Sequence, residues 1–173
     1  MKINKLKSYE NFPLRLVLLS NLFSITIYSI GLFVLLNLGI VFAALFGVYI
    51  FWIEIRLLAK SCRYCYYYGK FCAFGKGKCC ALFFKKGNPE KFIKTEITMK
   101  EILPDFLTFI VPLIGGIILL LSNFSWLLVV LLGILVILGF GGNAVVRGSF
   151  ACRYCKQKEI GCPAERLFSK TKK

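Results

Sequence analysis

Histidine is absent from the 173-residue sequence. That excludes His-ligated haem, His-containing zinc sites and Ser-His-Asp triads. Acidic residues are scarce, with eight Asp and Glu against 23 Lys and Arg and a net charge of +15. Charge of either sign is missing from two stretches, Leu16–Ile53 and Phe106–Val146. Each is about 40 residues long, twice the ~20 that one helix needs to cross a hydrocarbon core. Together with 58% hydrophobic residues and a mean hydropathy of +0.72, these stretches argue against an ordinary soluble domain.

Each uncharged stretch suits two crossings joined by a tight turn. Asn37, Leu38 and Gly39 interrupt the first near its middle, and Ser122–Trp126 interrupt the second with turn formers and an interfacial aromatic. The predicted spans are Pro13–Leu36, Ile40–Leu58, Asp105–Leu121 and Trp126–Val146. Both turns lack basic residues, which fall instead at the N-terminus (Lys2, Lys5, Lys7, Arg15), at Arg56, between Lys60 and Lys100, and from Arg147 to Lys173. The positive-inside rule then puts both termini and the central loop in the cytoplasm of a multi-pass cell-membrane protein. The long first apolar run, without a small-residue cleavage site, argues against a cleaved signal peptide. No nucleic-acid-binding motif accompanies the positive charge, which reads as a topology signal and an attraction to anionic lipid heads.

The most specific feature is a repeated motif. Cys62-Arg63-Tyr64-Cys65 is followed after six residues by Cys72, and Cys152-Arg153-Tyr154-Cys155 is followed after six residues by Cys162. A proline precedes each at similar distance, Pro13 and Pro104. The expected fold is therefore all-α and integral to the membrane, with four transmembrane helices as two tandem hairpins. This is a parallel internal repeat in which each hairpin is followed by a cytoplasmic cysteine module. The divisions are an N-terminus over 1–12, a first hairpin over 13–59 and a first module over 60–87, then an amphipathic connector over 88–104, a second hairpin over 105–147, and a second module with a basic tail over 148–173. In the connector, Asn88 and Pro89 predict a capped helix start, with Phe92, Ile93 and Ile97 on one face of an interfacial helix.

In a reducing cytosol, closely spaced cysteines point to metal ligands or redox thiols rather than disulfides. Cys62, Cys65, Cys72 and Cys79 make a set of four, while Cys152, Cys155 and Cys162 are one short, a gap that Cys80 would fill. Alternatively the two C-x2-C pairs share a single metal. Soft thiolates select zinc or an iron–sulfur cluster, and Cys162-Pro163 has the cysteine–proline ending of bacterial ferredoxin motifs after different spacings. Arg63 and Arg153 beside the pairs favour redox thiols, but no thioredoxin-like alternation of strands and helices surrounds them. Gly75-Lys76-Gly77-Lys78 lacks the spacing of a phosphate loop and reads as a flexible basic loop.

Near the membrane, Asn143 and Arg147 share a helix face, and Glu54 is predicted to pair with Arg147 across the hairpins. Gly139, Gly141 and Gly142 allow close helix approach. Three functions follow: an iron–sulfur electron-transfer membrane subunit, a zinc-stabilised structural or assembly protein docking a cytoplasmic partner, or a membrane thiol oxidoreductase. With so little polar interior, a subunit or binding protein with a protein partner, or a homo-oligomer, is expected over a self-contained enzyme.

Overall fold

The computed structural model describes residues 8–94, 99–142, 145 and 151–163. These residues are helical, with an isolated bridge between Tyr9 and Cys155 as their one β-type pairing. The helices are α1 (Leu14–Leu38), α2 (Ile40–Lys60), α3 (Lys76–Phe83), α4 (Pro89–Lys94), α5 (Met99–Ser122), α6 (Trp126–Val136) and α7 (Lys156–Ile160). A π-helical stretch, Ile137–Gly142, continues α6, and short 3-10 turns occupy Cys62–Tyr64 and Cys152–Tyr154. Three helices, α1, α2 and α5, are long and apolar enough to cross a membrane. The fourth apolar helix, Trp126–Gly142, is shorter.

The chain forms two compact units. One, the helical unit, is drawn from the described residues of Leu22–Ile55 and Met99–Ala144. Its core joins Ile27, Ile30 and Val34 of α1 to Phe109 of α5 and to Leu132 and Leu135 of α6. A second cluster packs Leu35 of α1 on Ala43 and Phe46 of α2. The outward residues are as apolar as the inward ones: Leu45, Val48 and Phe51 on α2, Ile114 and Leu121 on α5, and Leu127 and Val130 on α6 are all exposed.

Small residues set the helix spacing. A Cβ on Gly31 of α1 would lie 2.7 Å from the Phe46 ring and 2.9 Å from Pro112. Gly139 and Gly142 lie against Phe109 and Phe23, so two of the three glycines predicted to admit close approach do so, while Gly141 faces open space. Polar groups within the unit are matched locally. Tyr49 donates to the Pro104 carbonyl at 2.7 Å, and Tyr28 donates to Glu54 Oε1 at 2.9 Å.

Two boundaries differ from expectation. α5 begins at Met99 rather than near Asp105, so Pro104 lies inside it with Pro112 instead of opening the hairpin. Pro13, by contrast, immediately precedes α1. The predicted fourth span reached Val146, but the α-helix gives way to π-helix at Ile137, and residues 143, 144 and 146 lie outside the described residues.

Because Phe46 and Pro112 are both buried, the methyl group of Gly31→Ala has no room. We expect this substitution to destabilise the detergent-solubilised protein by about 1–3 kcal/mol, the usual cost of overpacking. Thermal unfolding unchanged from the parent protein would count against the packing described.

Candidate cysteine site

The second unit, the cysteine unit, is drawn from the described residues of Met1–Asn21, Arg56–Thr98 and Val145–Lys173. Both C-R-Y-C motifs adopt the same local structure within it. Each C-R-Y triplet is a 3-10 turn closed by a hydrogen bond of 3.3 Å, from Cys65 N to Cys62 O in one and from Cys155 N to Cys152 O in the other. The next turn repeats as well. Cys65 O accepts from Tyr68 N at 3.1 Å, and Cys155 O accepts from Lys158 N at 3.1 Å. In both motifs the arginine lies over the ring of the following tyrosine, at 5.0 Å for Arg63 and 5.9 Å for Arg153. Identical tetrapeptides thus make identical turns, leaving the paired cysteines on the same short arc.

What binds the modules to each other is Tyr67, only 2% exposed. Its hydroxyl accepts from Lys156 N at 3.0 Å and donates to the Tyr9 carbonyl at 2.5 Å. Beside it, Tyr66 N donates to Gln157 Oε1 at 2.7 Å, and Gln157 Nε2 donates to Gly161 O at 3.0 Å, satisfying both ends of a buried amide. The segment before α1 joins both modules: Phe12 N donates to Phe71 O at 2.9 Å, and Tyr9 N donates to Tyr154 O at 3.0 Å. Phe12, Val17, Tyr67, Ala73 and Ala151 form the buried cluster, and Cys65, Cys72 and Cys155 pack against it.

α3 supports the first module. Its N-terminal residues approach so closely that a Cβ on Gly77 would lie 2.7 Å from the Lys70 carbonyl oxygen and nearer still to that of Tyr67. Gly75-Lys76-Gly77-Lys78 is therefore not the expected flexible loop but the start of a helix, stabilised by a contact that only a residue without a side chain permits.

Burial separates Cys79, which is exposed, from Cys80, which is buried with its Sγ 3.5 Å from the Leu58 carbonyl. Cys80 lies in the electrostatic neighbourhood of Cys62, together with Cys72 and Cys65. Cys65 feels Cys155, Cys72 and Cys162, thiols from both modules. Among the described residues, no three Cys, Asp or Glu side chains are gathered in a geometry that holds a metal ion. Arg63 Nε is buried without a hydrogen-bond partner among the described residues, and the Arg63 charge pulls the Cys80 thiol down against the upward push of burial.

Desolvation dominates three further thiols, Cys62, Cys65 and Cys155. It pushes Cys62 and Cys65 up to about 12, and Cys155 up to about 11. Such thiols are protonated near neutral pH, the opposite of the lowered values that make a cysteine an active redox nucleophile. Of the polar residues predicted near the membrane, Asn143 and Arg147 lie outside the described residues, and with them the Glu54–Arg147 pair.

Gln157 and the segment before α1 were not singled out by sequence, and Tyr67 stood out only as one of several aromatics in the first module. The aromatic crowding around Tyr64–Tyr68 was the one signal near them.

The raised thiol values set a direction for pH dependence. Folded metal-free protein holds protons on Cys62, Cys65 and Cys155 that the unfolded chain, at the ordinary value of 9.0, releases. The stabilisation is complete below pH 9 and is lost as pH rises toward 11 to 12. Denaturant unfolding of metal-free protein should therefore show lower stability at about pH 10 than at about pH 8. A flat profile would contradict the burial of these thiols. Comparison of the chain with known protein families, with curated proteins and with solved structures gives no match.

Proposed function

We propose that the chain is a multi-pass membrane protein of four crossings in two tandem hairpins, with both termini and both modules cytoplasmic. We further propose that Cys65, Cys72, Cys155 and Cys162 bind one shared metal centre, which fixes a cytoplasmic docking platform for a protein partner. The observation that carries the reading is that Cys65, Cys72 and Cys155, contributed by both modules, pack against one buried cluster around Tyr67. The apolar outer surfaces of α1, α2 and α5 support bilayer burial, since exposed apolar area of this extent is unfavourable in water.

Four soft thiolates and no histidine suit zinc or an iron–sulfur cluster. Metal binding draws the thiols inward and displaces their protons, so affinity rises with pH. The direct polar bonds from Tyr66 to Gln157 and from Lys156 to Tyr67 favour a structural role, because they tie the modules together independently of the metal. An iron–sulfur cluster on the same thiolates would make the platform an electron-transfer subunit instead.

Elemental analysis and absorption spectroscopy on anaerobically purified protein test this reading. We expect one centre per chain, lost in Cys65→Ser and in Cys155→Ser but kept in Cys79→Ser. Colourless zinc supports the docking platform, and iron with labile sulfide supports electron transfer. Metal-free protein with eight alkylatable thiols would overturn the shared centre.

A further inference from the structure

A cavity of about 250 Å³ opens in the cysteine unit on the side of Cys65. Tyr66, Tyr68, Lys70 and Lys86 line it, Pro89 and Ile160 form apolar edges, and buried Gln157 closes one wall. Among the described lining residues, two are basic and none is acidic. The space is many times the ~10–15 Å³ that a single bound water needs, enough for a phosphate with a small organic group.

Three of the lining side chains are held by hydrogen bonds. Tyr68 donates to the Phe84 carbonyl at 2.7 Å, holding the strand of chain that leads to Lys86. Lys70 Nζ donates to the Tyr66 hydroxyl at 3.1 Å and lies 4.4 Å from the centre of that ring. Gln157 has both amide ends occupied within the protein, so it shapes the cavity rather than binding a guest. Glu10, an acidic side chain that feels Lys70, is held at 2.6 Å by Lys156.

We infer that this cavity binds the phosphate group of a small organic phosphate, between the Lys70 and Lys86 ammonium groups and against the Tyr66 and Tyr68 rings. Two ammonium groups in a cleft whose described lining carries no carboxylate match a phosphate's charge, and the aromatic and apolar edges accommodate a short carbon skeleton. The ligand is either a soluble phosphate ester or the headgroup of an anionic phospholipid. The inference goes beyond the proposed metal centre and does not require it.

The test uses full-length protein in nanodiscs of zwitterionic lipid, titrated with inorganic phosphate and with glycerol 3-phosphate, and separately in nanodiscs containing phosphatidylglycerol. Saturable binding of the soluble probes identifies the first source. Retention of one phosphatidylglycerol per chain, without response to soluble probes, identifies the second. In either case we expect affinity to fall about tenfold in Lys86→Gln and further in Lys70→Gln/Lys86→Gln, the scale of a lost charge-assisted hydrogen bond. Lys78→Gln should change affinity less than twofold, since Lys78 lies over the Phe71 ring outside the cavity. Lys86 is exposed, so its single variant provides a folded protein for comparison. No saturable binding by any probe, or equal weakening in Lys78→Gln, would overturn the inference.

Discussion

The cysteine unit depends on a single buried hydroxyl. Tyr67 lies in the first module, yet its oxygen meets a backbone amide of the second, at Lys156, and the carbonyl of Tyr9 ahead of α1. A buried hydroxyl without partners costs about 1–3 kcal/mol, and the same holds for the backbone groups it serves. Satisfying all three at one point links three distant stretches of chain. Phe12 and Tyr66 then stack around the Tyr67 ring, and the cysteines settle against the resulting cluster.

This arrangement explains why eight cysteines differ so much in environment. The C-R-Y-C turns curl Cys65 and Cys155 toward the aromatic cluster, while Cys152 at the start of its turn is exposed. α3 adds a further division, because adjacent positions on a helix point to different faces: Cys80 goes inward and Cys79 outward. Low polarity around the inward thiols keeps them protonated and unreactive until something replaces the proton. The same aromatic crowding, with Lys70 and Lys86 on its outer side, leaves a cleft whose character is cationic rather than thiol-like.

Much of this was legible in the sequence, for identifiable physical reasons. Uncharged blocks with turn residues at their middles located α1, α2 and α5 to within a few residues at most of their ends, because helix length and apolarity are local properties. Identical C-R-Y-C sequences gave matching 3-10 turns, and Asn88 accepts from Glu90 N at 2.9 Å, as expected of a cap. Three things were not legible. α3 was hidden by Gly75 and Gly77, poor helix residues: Gly75 precedes the helix with a φ of +70°, and the missing side chain of Gly77 serves the contact with the Tyr67–Lys70 turn. The early start of α5 was hidden by Pro104, usually a helix boundary, which sits here inside the helix while its carbonyl accepts from Tyr49. The role of Tyr67 was hidden because its partners are far away in sequence and no periodicity or spacing marks them.

The central claim is that the two cysteine modules are one folded unit joined at Tyr67. Amide hydrogen exchange at Lys156, in the parent protein and in Tyr67→Phe, tests it most directly. The account predicts strong protection in the parent, reduced by about tenfold or more in the variant, as expected when a buried hydrogen bond of ~1.5 kcal/mol is removed. Equal protection in both proteins would contradict the claim and leave the modules to be held together by something else.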